Sequence, residues 1–161
     1  LGFGFGSAFI VTKFEGTITR VAALAAFMPI IAGHGGNTGS QTTTLFVRSI
    51  AVGELQRRDL GRVLRRELAF GCCYGLLAGT LTGLLAYVLE WNFWLAVVVG
   101  GAMMGNIILA GLAGSVIPLA FQALKIDPAL ASTVWLTTIT DWLGFVLLLG
   151  MGTLLISRLG G

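Results

Sequence analysis

Residues 93–124 carry no charged side chain, and residues 129–156 carry a single one, Asp141. Runs of this length and polarity read as membrane-spanning helices. About 20 apolar residues at ~1.5 Å each cross the hydrocarbon core, and a helix satisfies its own backbone polar groups there. Only 11% of the 161 residues are charged, against about 25% in a soluble domain, and mean hydropathy is +0.92. The chain is therefore expected to be an all-α integral membrane protein, one compact bundle over residues 1–161 with no separate soluble domain.

Five apolar segments are predicted: a fragment ending near Phe14, then residues 21–47, 68–89, 93–124 and 129–156. The first is too short to span and reads as the second half of a truncated helix. It lacks the basic region and small-residue cleavage site of a signal peptide. The long link, 51–67, holds Arg57, Arg58, Arg62, Arg65 and Arg66. With Arg48 and Lys125 this side carries seven basic residues, against three (Lys13, Arg20 and Arg158) on the other. The asymmetry puts the 51–67 link in the cytoplasm and the C-terminus outside, in a multi-pass cell (inner) membrane protein. It also accounts for the net charge of +3 without a nucleic-acid partner. Tyr87, Trp91 and Trp94 form an outer aromatic belt, and Asp127-Pro128 is expected to open the fifth helix.

Gly71, Gly75, Gly79 and Gly83 recur every four residues, a stripe that lets a neighbouring helix backbone come close. Residues 101–105 and 110–114 repeat the pattern. These stripes indicate bundle packing rather than chemistry. The adjacent Cys72 and Cys73 read as small packed hydrophobes, with no disulfide or zinc pattern around them.

Two features indicate chemistry. Asp141 is a carboxylate at membrane depth, where insertion costs at least about 2.5 kcal/mol, so something charged is expected to meet it. Thr133, Thr137 and Asp141 are spaced i, i+4, i+8 on one helix face, with Thr140 and Gly144 beside it. The second feature is the polar run Gly33-His34-Gly35-Gly36-Asn37-Thr38-Gly39-Ser40-Gln41. Pro29 and the glycines are expected to break this helix and free carbonyl oxygens, which are tolerated at that depth only when buried or lining water. Gly36, Ser40 and Thr44 form a small oxygen-rich face, next to Asn37, Gln41 and Thr44. His34 has no second imidazole or thiolate nearby and reads as packed or hydrogen-bonded, as does Asn106.

One carboxylate with hydroxyls and carbonyls favours Mg2+ or Ca2+ over Zn2+ or Cu+. One Asp is thin for a divalent cation, and a twofold homodimer would bring two to one axis. Two other classes compete with a cation pore. An intramembrane aspartyl-type enzyme needs two carboxylates in one site, and a lipid-modifying enzyme would want several acids at a membrane face. A non-conducting membrane subunit leaves the buried Asp and the polar helix unexplained.

At these positions the sequence resembles the transmembrane domain of the MgtE family of magnesium channels. The matching residues are Phe14-Glu15, Phe27-Met28-Pro29, Gly35-Gly36-Asn37-Thr38-Gly39-Ser40-Gln41, Arg48, Asn106, residues 114–118, Asp127-Pro128-Ala129, Thr137-Thr138-Ile139-Thr140-Asp141 and Gly144-Phe145. The resemblance covers nearly the whole chain. It implies a homodimer of five transmembrane helices per subunit, whose pore is lined by the second and fifth helices, and a transporter rather than an enzyme. Asp141 would be the selectivity carboxylate meeting hydrated Mg2+, bound in the pore as the transported ion. Gly33, Gly36 and Thr137 would line the site, partly through main-chain carbonyls. Ser40 and Thr133 fall where some members carry the longer Asn. Members typically add an N-terminal cytoplasmic region with a paired CBS module that senses magnesium. The chain is accordingly expected to be a piece of a longer protein or a short member.

Overall fold

The computed structural model describes residues 2–55, 59–130 and 133–159, with only the backbone for 2–4, 130, 133 and 134. All regular structure among them is helical: α1 (Gly2–Lys13), α2 (Glu15–Arg20), α3 (Ala23–Ala51), α4 (Leu60–Glu90), α5 (Phe93–Ala123), α6 (Thr133–Leu154) and α7 (Ile156–Leu159), with a 3-10 turn at Pro128–Leu130. Three helical stretches, Leu60–Glu90, Phe93–Ala123 and Trp135–Leu154, are long and apolar enough to cross a membrane. These make the chain a multi-pass membrane protein. The 29 residues of α3 are also long enough, at about 1.5 Å each, but its middle is polar.

The core lies where α3, α5 and α6 meet. Leu24, Phe27 and Ile31 from α3, Val98, Val99, Ala102, Met103 and Ile107 from α5, and Leu148 and Leu149 from α6 form one buried cluster. The outer face of α4 carries exposed Leu76, Leu77, Leu81, Leu84, Leu85 and Val88, as a lipid-facing helix should. Its inner face is the glycine stripe. A Cβ on Gly79 would lie 2.5 Å from the Gly100 carbonyl oxygen of α5, and one on Gly83 would lie 2.8 Å from that of Ala96. The stripe therefore sets the α4–α5 distance, as its spacing predicts. Among the described residues both cysteines are free, Cys72 half-buried and Cys73 exposed.

The two ends of the bundle differ. At one, the Thr17 and Thr153 hydroxyls are 2.7 Å apart, the Asn92 amide donates to the Leu159 carbonyl at 3.3 Å, and the Arg158 guanidinium sits over the Trp94 ring. This gathers Arg20, Arg158 and the aromatic belt. At the other, Phe46, Val63 and Leu119 pack together and join the ends that carry Arg48, the 51–59 link and Lys125. Both groupings match the basic asymmetry of the sequence, although Arg57 and Arg58 lie outside the described residues.

Three sequence expectations are corrected. The 51–67 link is shorter than expected, because α4 begins at Leu60. Val63 is buried while Arg62, Arg65 and Arg66 are exposed, so these three arginines lie on the amphipathic first two turns of α4, with Arg62 3.4 Å from Asp59. Residues 128–130 form a 3-10 turn rather than the start of the fifth helix, which is described from Thr133, and the Asp127 side chain accepts from Ala129 N at 2.9 Å at the start of that turn. Finally, α3 is not broken: Pro29, Gly33, Gly35, Gly36 and Gly39 all lie inside one continuous helix, Ala23–Ala51. Pro29 falls early in α3 and removes one backbone bond. Gly35, Gly36 and Gly39 are buried against neighbours and serve close approach instead of unwinding.

Candidate functional site

Asp141 lies on α6, half-buried, facing α3. The closeness of the two helices depends on Gly36. A Cβ there would meet Thr137 Cγ2 at 3.0 Å and Asp141 Oδ1 at 3.9 Å. Thr137, Asp141 and Gly36 are thus brought together, as the i, i+4 spacing on α6 and the polar run on α3 require. Among the described residues, no hydrogen bond or ion pair engages the Asp141 carboxylate. Thr140 turns the other way. It is fully buried, and its hydroxyl donates to the Thr137 carbonyl at 2.9 Å. The side chain of Thr133 lies outside the described residues.

The second half of the site is the open face of α3. Pro29, Gly33, Asn37, Gln41, Thr44 and Arg48 are all exposed, and their spacing of three or four residues places them on one face. Gly33 has nothing within 4 Å of where its Cβ would be. Ser40 is half-buried at the edge of the face, and the Thr44 hydroxyl donates to its carbonyl at 2.9 Å. Ser40, Gln41, Thr44 and Leu45 line an open depression of about 460 Å³. His34 is exposed, with Nδ1 3.0 Å from the Ile30 carbonyl oxygen, a local bond within its own helix. Among the described residues no three His, Cys, Asp or Glu side chains cluster as a metal cage would need. A hard cation that keeps its waters needs only a carboxylate and scattered oxygens.

Sequence reasoning treats Asn106 as an ordinary hydrogen-bonder, which it is: its amide donates to the Ile31 carbonyl at 2.8 Å. The sequence does not reveal that Gly35 of α3 and Gly144 of α6 both close on that amide. A Cβ on Gly144 would lie 2.8 Å from Nδ2, and one on Gly35 would overlap it. Glycines one position before Gly36 and three after Asp141 were the available signal.

The family model described as "MgtE: Divalent cation transporter" matches residues 28–151. The chain is similar to the magnesium transporter MgtE of Thermus thermophilus, 35% identical over 156 residues, covering 96% of this chain and 34% of that protein. The magnesium transporter MgtE of Bacillus subtilis is 31% identical over 156 residues, covering 97% of this chain and 35% of that protein. That of Enterococcus faecalis is 33% identical over 138 residues, 86% of this chain and 30% of that protein. The chain spans about a third of the length of these curated relatives.

Proposed function

Because this chain belongs to the MgtE family of divalent cation transporters, we propose that two copies form a pore that conducts hydrated Mg2+ across the membrane. One observation carries this reading. The face of α3 that carries Gly33, Asn37, Gln41 and Thr44 is exposed, and Gly36 of the same helix adjoins the half-buried Asp141; with α3 as one of the membrane helices, that face lies at membrane depth. Polar groups at that depth cannot face lipid without a large cost, so they face protein or a water-filled path. A twofold axis beside this face supplies both. It turns each polar strip toward its copy and brings two Asp141 carboxylates to one hydrated ion.

In this reading each subunit has five membrane helices: α1 extended by α2, then α3, α4, α5 and α6 with α7. Asp141 attracts and positions the ion. Mg2+ dehydrates reluctantly, so the carboxylate acts through the ion's water. Gly33, Gly36, Asn37, Ser40, Thr44, Thr133 and Thr137 line the path and offer oxygens, or room, to that water shell. Because α3 is continuous, its carbonyls bond within the helix, and the contacts rest on side chains and remaining lone pairs. The relatives are named as magnesium transporters, and the absence of a His/Cys cage among the described residues supports the same hard ion. A cytoplasmic region that regulates the pore belongs to the same reading.

Cross-linking tests the dimer. Gln41→Cys, on the open face of α3, is expected to form an intersubunit disulfide in a native-like bilayer, while Leu77→Cys on the lipid face of α4 is not. Persistent monomers with Gln41→Cys would count against an α3-lined interface. The basic asymmetry further supports an orientation with the 51–67 end in the cytoplasm and the C-terminus outside the cell membrane. A cysteine introduced at Asp59 should resist a membrane-impermeant thiol reagent in intact cells, and ready labelling would reverse the orientation.

A further inference from the structure

We propose that Asn106 is a positioning residue for the ion site. It would set the distance between Gly36 and Asp141 from behind, without touching the ion; the inference rests on the pore reading above. Asn106 is fully buried, and its side-chain amide is the point at which α3, α5 and α6 meet. The amide donates to the Ile31 carbonyl of α3 at 2.8 Å, one turn before Gly35. It also fills the space where side chains on Gly35 and Gly144 would be. Gly35 adjoins Gly36, and Gly144 lies one turn beyond Asp141. One planar group thus fixes how closely both pore helices approach α5, and so how they face each other.

The amide's other atom supports this role over simple packing. Asn106 Oδ1 is buried and has no hydrogen-bond partner among the described residues. An unsatisfied buried acceptor is costly, and an apolar side chain of similar size would fill the junction without that cost. What leucine cannot supply is the flat amide and its bond to the α3 backbone. These hold the register of Gly36 against Thr137 and Asp141.

Two predictions separate positioning from folding. Asn106→Leu removes the amide and the orphan acceptor together. It is expected to yield dimer with unchanged or higher thermal stability, but with the Mg2+ concentration for half-maximal flux raised roughly fivefold and the Mg2+ to Ca2+ flux ratio reduced similarly. Asn106→Ala, which cannot overpack the junction, is expected to shift both quantities in the same direction. Flux is measured on the intact protein in liposomes, normalised to dimer content by chromatography, beside wild type and Asp141→Asn. Wild-type half-saturation and flux ratio in folded variants would overturn the proposal. So would loss of folded dimer in both, since Asn106 would then hold the fold and not the site. If wild type itself fails to conduct Mg2+, or Asp141→Asn matches it, the pore reading has failed instead.

Discussion

Asp141→Asn is expected to lower Mg2+ flux on the order of 100-fold while leaving the folded dimer intact. A divalent cation about 5 Å from a carboxylate, across one layer of its own water, gains about 1.7 kcal/mol even at the dielectric of water. Two carboxylates at one ion give about 3 kcal/mol, which is roughly the stated factor. Asparagine keeps the size and removes the charge. The fold should survive, because a charge at this depth costs at least about 2.5 kcal/mol and its loss relieves the bundle. Asp141 makes no hydrogen bond or ion pair among the described residues that the change would break. By contrast His34→Ala should retain substantial flux, since among the described residues its ring bonds to the Ile30 carbonyl of its own helix. Near-normal uptake by Asp141→Asn in liposomes, at equal dimer content, would remove the electrostatic mechanism.

The second large effect is on folding. Gly79→Leu is expected to abolish the folded protein. The added Cβ would lie 2.5 Å from the Gly100 carbonyl oxygen, and the reciprocal Cβ on Gly100 would lie 2.7 Å from that of Gly79. Both obstacles are backbone, so neither can swing aside. The helices must part, and the contacts along Gly71, Gly75 and Gly83 loosen with them. Overpacking alone costs about 1–3 kcal/mol or more. In a bilayer close packing is a large part of what holds helices together, since lipid is as apolar as leucine. Gly16, with nothing within 4 Å, provides the control: Gly16→Leu should give normal yield. Normal yield and thermal stability of Gly79→Leu in detergent would show that the stripe does not set the α4–α5 contact.

Much of this was legible in the residues. The four-residue glycine period on α4 predicts a close helix contact, and the contact is there. The i, i+4 spacing of Thr137 and Asp141 predicts one face, and Gly36 lies against both. The misreadings have a common cause, which is that local propensity competes with tertiary packing. Glycines and Pro29 read as breaks in α3, yet Asn106, Thr137 and Leu136 press on Gly35, Gly36 and Gly39 and hold the helix continuous. Arg62, Arg65 and Arg66 read as part of a loop, yet Val63 buries against Phe46 and Leu119 and draws the α4 start back to Leu60. The cradle around Asn106 joins residues some 75 positions apart, and no local pattern announces such a contact. The proposed dimer is a different case, because what suggests it in one chain is the exposed polar face of α3.

The central claim, that one ion path is shared by two subunits, is tested most directly by flux through mixed dimers carrying one Asp141 and one Asp141→Asn subunit, purified with two affinity tags and reconstituted alone in liposomes. If both carboxylates act on the same ion, their contributions multiply, and losing one lowers Mg2+ flux roughly tenfold, the square root of the double loss. If each subunit instead conducts through its own path, the mixed dimer keeps about half of wild-type flux, and the shared pore is contradicted.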